Sequence, residues 1–271
     1  MEIETSNLNL EPYLRLGVFL GILVLMMLAE YFFPRREKQY RVQRWPSNLS
    51  LVVLNTLVVR IILPGATVAL AIWAQARGIG LLHWLPMPGW LSFILSVALL
   101  DMLIYWQHRF SHAIPVLWKF HRMHHADIMI DVTTGSRFHP VEIIFSMLVK
   151  LTAILLLGPS PWAVIIFEIL LNGTAMFNHS NINLPLGVDR VVRKLLVTPD
   201  MHRVHHSIYA REYNQNFGFN LSVWDRWFNS YTAQPEDGHL QMEIGLPYFR
   251  EVSESRLPGM ITQPFRMPVE E

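Results

Sequence analysis

Five apolar stretches, separated by polar or turn-forming residues, set the pattern of this chain. They run from Leu16 to Phe33, Leu49 to Ala74, Gly89 to Trp106, Val141 to Leu157 and Trp162 to Phe177. Crossing about 30 Å of hydrocarbon takes roughly 20 helical residues, so the first three read as membrane-spanning helices. The last two are shorter, and only Gly158-Pro159-Ser160-Pro161 separates them. They predict a helical hairpin that either crosses twice or dips in and returns. Glu2, Glu4 and Glu11 precede the first stretch, with no basic region and no small-residue cleavage site. That is the pattern of a retained span, not of a cleaved signal peptide. The expected fold is therefore all-α: an integral membrane bundle of about three spans plus a hairpin. Residues 1–94 read as an N-terminal anchor and 95–232 as the chemistry-bearing domain. Residues 233–271 read as a Pro- and Glu-rich tail over the cytosolic surface.

Basic residues orient the bundle, because Lys and Arg favour the cytoplasmic side. Arg35, Arg36, Lys38, Arg41 and Arg44 follow the first span, which places the N-terminus outside. Alternation then puts segments 34–48, 107–140 and 178–271 inside, and these hold 18 of the 22 Lys and Arg. Arg15 and Arg77 lie outside. Arg60 and Lys150 fall within apolar stretches and are expected to snorkel or to meet a buried partner. Trp73, Trp84, Trp90 and Trp162 sit near span ends, as interface anchors do.

Composition agrees and narrows the chemistry. The chain is 52% hydrophobic and 16% charged, against about a quarter charged in soluble domains. A net charge of +1 gives no reason to expect nucleic acid. With no cysteine, disulfides, thiolate-ligated haem, cysteine-held iron–sulfur clusters and a cysteine nucleophile are excluded within this chain.

Twelve histidines remain, and eight fall in three tight groups: His108-x3-His112, His121-x2-His124-His125 and His202-x2-His205-His206. At this histidine content one His-x2-His-His is expected about 0.02 times by chance, so two are not accidental. Positions i, i+3 and i+4 share a helix face, so each group should aim its imidazoles at one point. Neutral imidazole suits Fe, Zn, Cu and Ni. His139 and His179 stand singly, and all ten lie on the predicted cytoplasmic side. Ten ligands exceed what one ion can use, so two ions are expected to share them. His83 falls on the opposite side, and it and His239 read as bystanders. Asp101, two turns before His108, and Asp200, beside His202, are candidates to accept a free ring N–H. Asp127, Asp131 and Glu142 lie near other ligands. Trp118, Tyr105, Tyr209 and Tyr213 are candidate pocket aromatics.

These motifs resemble the fatty acid hydroxylase superfamily, and within it the sterol desaturase-like proteins. The likeness rests on the ordered histidine trio, on Arg137-Phe138-His139-Pro140-Val141-Glu142, on Asn178-His179-Ser180-Asn181-Ile182, and on Thr198-Pro199-Asp200. It covers roughly residues 95–232. It implies a membrane-bound, non-haem di-iron oxygenase with a cytosolic metal-bearing cap. Such an enzyme uses O2 and electrons from a separate redox partner to hydroxylate or desaturate a lipid. The implied catalytic and metal residues are His108, His112, His121, His124, His125, His179, His202, His205 and His206, with His139 as a further metal ligand. Zinc is a possible substitute for iron. Some relatives carry paired histidines where this chain has only His179, so Asn178, Asn181 or Asn183 becomes a candidate for the missing ligand. The lipid tail is expected to enter between the third span and the hairpin. No electron-carrying domain is recognisable in the sequence, and a bacterial inner membrane is the expected home. Two other classes are a zinc-dependent membrane hydrolase and a bis-histidine haem electron carrier. The first lacks His-Glu-x-x-His, and the second calls for histidines inside facing spans.

Overall fold

A computed structural model of the chain describes residues 11–37 and 41–267. Glu2, Glu4 and Lys38 therefore lie outside the described residues. The apolar stretches become α1 (Glu11–Phe32), α2 (Arg41–Ile62) with α3 (Ala66–Ala76), a short α4 (Leu81–Trp84), α5 (Gly89–Ala113), α7 (Pro140–Leu157) and α8 (Pro161–Asn178). Between α5 and α7 comes α6 (Pro115–His125), and past α8 come α9 (Leu186–Val192) and α10 (Pro199–His205). Among the described residues, five helical segments are long and apolar enough to cross a membrane. On α1, Leu16, Leu20, Leu25 and Leu28 are 49–58% exposed, an apolar face that needs lipid around it.

Proline sets where the helices around the site begin. Pro115, Pro140, Pro161 and Pro199 each open their helix, where a missing N–H costs nothing. The side chains of Ser160 and Thr198 cap the first turns of α8 and α10. Gly158, at φ 68°, ends α7. Its backbone lies so close to Gly80 that a Cβ there would come within 2.2 Å of the Gly158 nitrogen.

The second apolar stretch is not one helix. It breaks at Leu63-Pro64-Gly65, because Pro64 removes a donor and Gly65 takes a left-handed φ of 62°. α3 then continues in the same direction. Asn55 bonds the Phe138 carbonyl at the base of the hairpin, Ala71 packs on Ile154 and Val164, and Gly80 meets its tip. Segments 33–37, 41–48, 114–139 and 179–267 thus gather at one end of the bundle. Residues 77–88, His83 among them, gather with the hairpin tip at the other. Lys150 meets a buried partner, Glu168, at 2.9 Å, and Glu168 also pairs with Arg15. Arg60 is exposed.

The cap is pinned to the bundle by buried charges. Arg44, 1% exposed, bonds Asp127 at 2.5 and 2.6 Å and Asp131 at 2.7 Å. Glu30 accepts the backbone N–H of Val132 and of Asn181. The C-terminal segment is folded over the cap. Met260 packs on Leu51 and Met123, Met242 and Ile244 pack on Ile130, and Arg122 donates to the carbonyls of Gln263 and Arg266.

Candidate metal centre

Nine histidines meet where α5, α6, α8 and α10 converge. They divide into two groups, each with its ligand atoms within 4.8 Å of one another. One is His108, His112, His121, His125 and His205; the other is His124, His179, His202 and His206. The division corrects the expectation that each His-x2-His-His aims at one point. Adjacent helical residues point about 100° apart, so His124 and His125 diverge, as do His205 and His206. The i, i+4 pairs 121/125 and 202/206 stay together, and the remaining histidine of each motif crosses to the other group. The two groups are thereby interlocked.

Backbone carbonyls set the tautomers. The Nδ1 atoms of His108, His124, His179 and His205 lie 2.8, 3.2, 2.7 and 2.7 Å from the carbonyl oxygens of Phe217, Arg137, Ala175 and Gln215. A carbonyl only accepts, so each Nδ1 carries the proton and each Nε2 presents a lone pair. His121 Nδ1 bonds Glu142 Oε1 at 2.6 Å. Burial pushes His179 down to about 4 and His205 down to about 3. Burial and neighbouring imidazoles hold His124, His125, His202 and His206 well below the usual histidine range. These rings are neutral at pH 7, the form that binds metal.

The residues fit a pair of metal ions. The Nε2 atoms of His108, His112, His121, His125, His205 and His206 are buried without a protein partner, and an imidazole nitrogen stranded in this way is costly. In the second group, His179 Nε2 lies 3.1 Å from His124 Nε2 and 2.9 Å from His202 Nε2. Nitrogens about 2.1 Å from a shared ion at right angles would be about 3 Å apart.

The structure does not bring His139 to either group. Its Nδ1 accepts from Val141 N at the start of α7, and its Nε2 faces the Ile261 carbonyl. Asp101 and Asp200 touch none of the nine rings, and Glu142 does. Asp101 instead accepts from Trp224 Nε1 and the N–H groups of Asn220 and Leu221. It thus holds the loop whose Phe217 carbonyl orients His108. Asp200 binds Arg35 and Arg203, with His239 at 3.6 Å. Asp127 and Asp131 belong to the Arg44 network. Asn181 and Asn183 contact Arg36 and Arg35, and Asn178 donates to the Phe219 carbonyl. Trp118 packs 4.9 Å from His112 and stacks on Tyr213. Tyr105 bonds Ser230, and Tyr209 lies at the surface. The orienting carbonyls have no side-chain signature, which is why sequence reasoning missed them.

A cavity of about 240 Å³ runs from this centre into the bundle. His108 and His121 line one end, and apolar side chains of α1, α2, α7 and α8 (Phe19, Val52, Met147 and Leu171) line its length.

With that geometry in place, the comparisons are informative. The fatty acid hydroxylase family model matches residues 93–230, just over half of the chain. The chain belongs to the fatty acid hydroxylase family. It is 28% identical over 155 residues to ornithine lipid hydroxylase OlsE of Rhizobium tropici, covering 56% of this chain and 45% of that protein. It is 31% identical over 161 residues to the alkylglycerol monooxygenase of Danio rerio, covering 57% and 34%. It is 26% identical over 142 residues to sphinganine C4-monooxygenase 1 of Arabidopsis thaliana, covering 52% and 54%. The matches thus span about half or less of these relatives' lengths. No solved structure gives a significant match.

Proposed function

We propose that this family member is a membrane-bound, non-haem di-iron oxygenase that hydroxylates or desaturates a lipid. One observation carries the reading: nine histidines, eight of them buried and His112 half-buried, divided into two interlocked groups with stranded Nε2 atoms, close the end of a largely apolar cavity within the bundle. The names of the relatives, each a lipid hydroxylase or monooxygenase, support it.

When bound, two irons would supply the O2 activation that an unactivated C–H bond requires. In a hydroxylation one oxygen atom enters the C–H bond and the other leaves as water, with two electrons and two protons from a separate redox protein. The chain's own residues position and protect. Carbonyls of Phe217, Arg137, Ala175 and Gln215 fix the ring orientations, and Glu142 steadies His121. Burial keeps the rings neutral, and the helices around the cavity hold a lipid tail out of water. The distribution of Lys and Arg favours a cytoplasmic position for the cap.

The test is elemental analysis of the purified protein, with lipid mass spectrometry after incubation with O2 and a reducing system. About two Fe per chain and a lipid gaining one oxygen or losing two hydrogens are expected, with the lipid change abolished and the Fe content lowered in His124→Ala and His205→Ala. Turnover with zinc alone, independent of O2 and reductant, would overturn the reading.

A further inference from the structure

The residues that line the cavity carry a few buried polar atoms without a protein partner, and these are of one kind. Apart from the Nε2 atoms of His108 and His121, its buried polar atoms without a protein partner, among the described residues, are Asn55 Oδ1, Gln107 Oε1 and Glu142 Oε2. All three are acceptors. Two are fixed as such. Asn55 Nδ2 donates to the Phe138 carbonyl at 2.9 Å, which turns its oxygen the other way. Glu142 Oε1 accepts from His121, leaving Oε2 buried without a partner. Both residues are 8% exposed, and a buried acceptor without a donor is unfavourable.

Both also sit at the metal end. Glu142 touches His121, and Asn55 holds Phe138, whose ring stacks on His124 at 4.5 Å. The cavity's ammonium, Lys150, lies eight residues further along α7, about 12 Å away, and is paired with Glu168. Val52, Ile143, Met147 and Leu171 give the cavity an apolar lining beside these acceptors.

We propose that the substrate's polar group carries hydrogen-bond donors, hydroxyl or N–H, which it gives to Asn55 Oδ1 and Glu142 Oε2 beside the metal centre. The tail then extends along α7. This rests on the lipid-oxygenase reading and adds the substrate's polar chemistry to it. Gln107, whose amide no hydrogen bond orients, can adapt to either polarity.

The test is binding of 1,2-hexadecanediol against its dimethyl ether, which keeps both oxygens and the tail but has no donors. Full-length protein, stripped of metal and held in nanodiscs, is titrated with each and read by native mass spectrometry. Wild type is expected to bind the diol about tenfold more tightly than the ether. Asn55→Leu should cut that ratio below about threefold, and Asn55→Asp, which keeps an acceptor, should retain it. Equal affinity of the wild type for the two lipids overturns the proposal without any variant. So does an undiminished ratio in Asn55→Leu, which would mean that water satisfies these acceptors. Neither metal nor O2 enters the measurement. A protein that discriminates but oxidises no lipid therefore sinks the functional reading alone, and the converse result sinks this one.

Discussion

His124 and His179 face each other Nε2 to Nε2 across 3.1 Å, while the Nδ1 of each is engaged by a backbone carbonyl. In the neutral rings neither facing nitrogen carries a proton, so two lone pairs point at one another. A cation between them resolves that repulsion. A shared proton is the alternative, but burial opposes it by pushing both rings toward the neutral form. His179→Ala should therefore reduce bound metal from two ions per chain to about one, leaving the His108 group loaded. His112→Ala should strike the other ion. Metal-to-protein ratios of the purified variants check this. Loss of both ions in both variants would show the groups to be one cooperative site.

Glu142 and Asp200 separate metal support from structural support. Glu142 accepts from His121, and removing such a partner typically weakens metal binding 10–100-fold. Glu142→Leu should do so in chelator competition. Asp200 touches no ligand ring, but it pairs with Arg203, which is 0% exposed. Asp200→Asn should leave metal affinity within a few-fold of wild type and lower stability by about 3–5 kcal/mol, the cost of an uncompensated buried charge.

Arg44 makes the same argument for the cap. Arg44→Met removes the ion pair of Asp131, which is 4% exposed, and leaves Asp127, which is 0% exposed, with Arg137 at 3.6 Å. About 3–5 kcal/mol of stability should be lost, seen as a lower unfolding temperature in detergent. Adding Asp131→Asn should recover part of the loss, since it removes the carboxylate whose ion pair was with Arg44.

Much of this was legible in the sequence because membranes and metals both impose strict patterns. Apolar length marked the helices, and histidine spacing marked eight of the nine rings that converge, with His179 standing singly. What was hidden depends on contacts far apart in the chain. Residues 63–65 break an apolar run that hydropathy alone reads as continuous. Adjacent histidines at 124 and 125 look like one motif, and only helix rotation sends them to different groups. His139 sits in a motif beside Glu142, yet its side chain caps a helix while Glu142 supports the ring of His121. Asp101 is two turns from His108 on α5, but it reaches the 220–224 loop, whose position no local pattern encodes. Asn55 lies in an apolar run with no motif around it, and only the distant Phe138 carbonyl fixes its amide.

The loop that orients His108 should make stability depend on pH through Asp225. This carboxylate accepts from Phe217 N at 2.7 Å, Gly218 N at 2.9 Å and Ser230 Oγ at 2.7 Å. Gly218 is required there, because a Cβ would come within 2.6 Å of Asp225 Oδ2. Burial outweighs these hydrogen bonds and raises Asp225 to about 6 from 3.8. A raised folded value means that the native state binds the proton more tightly than the unfolded chain. The group's contribution is therefore full below about 3.8 and is lost as pH rises through about 6. Between pH 7 and pH 5 the wild type should gain about 1 kcal/mol relative to Asp225→Asn, which cannot titrate. Unfolding of both proteins in the same detergent and the same metal state isolates the difference from the other titrating groups. A gap that stays constant across that range would show that Asp225 ionises as an ordinary carboxylate. The hydrogen bonds to Phe217 and Gly218 would then offset its burial completely.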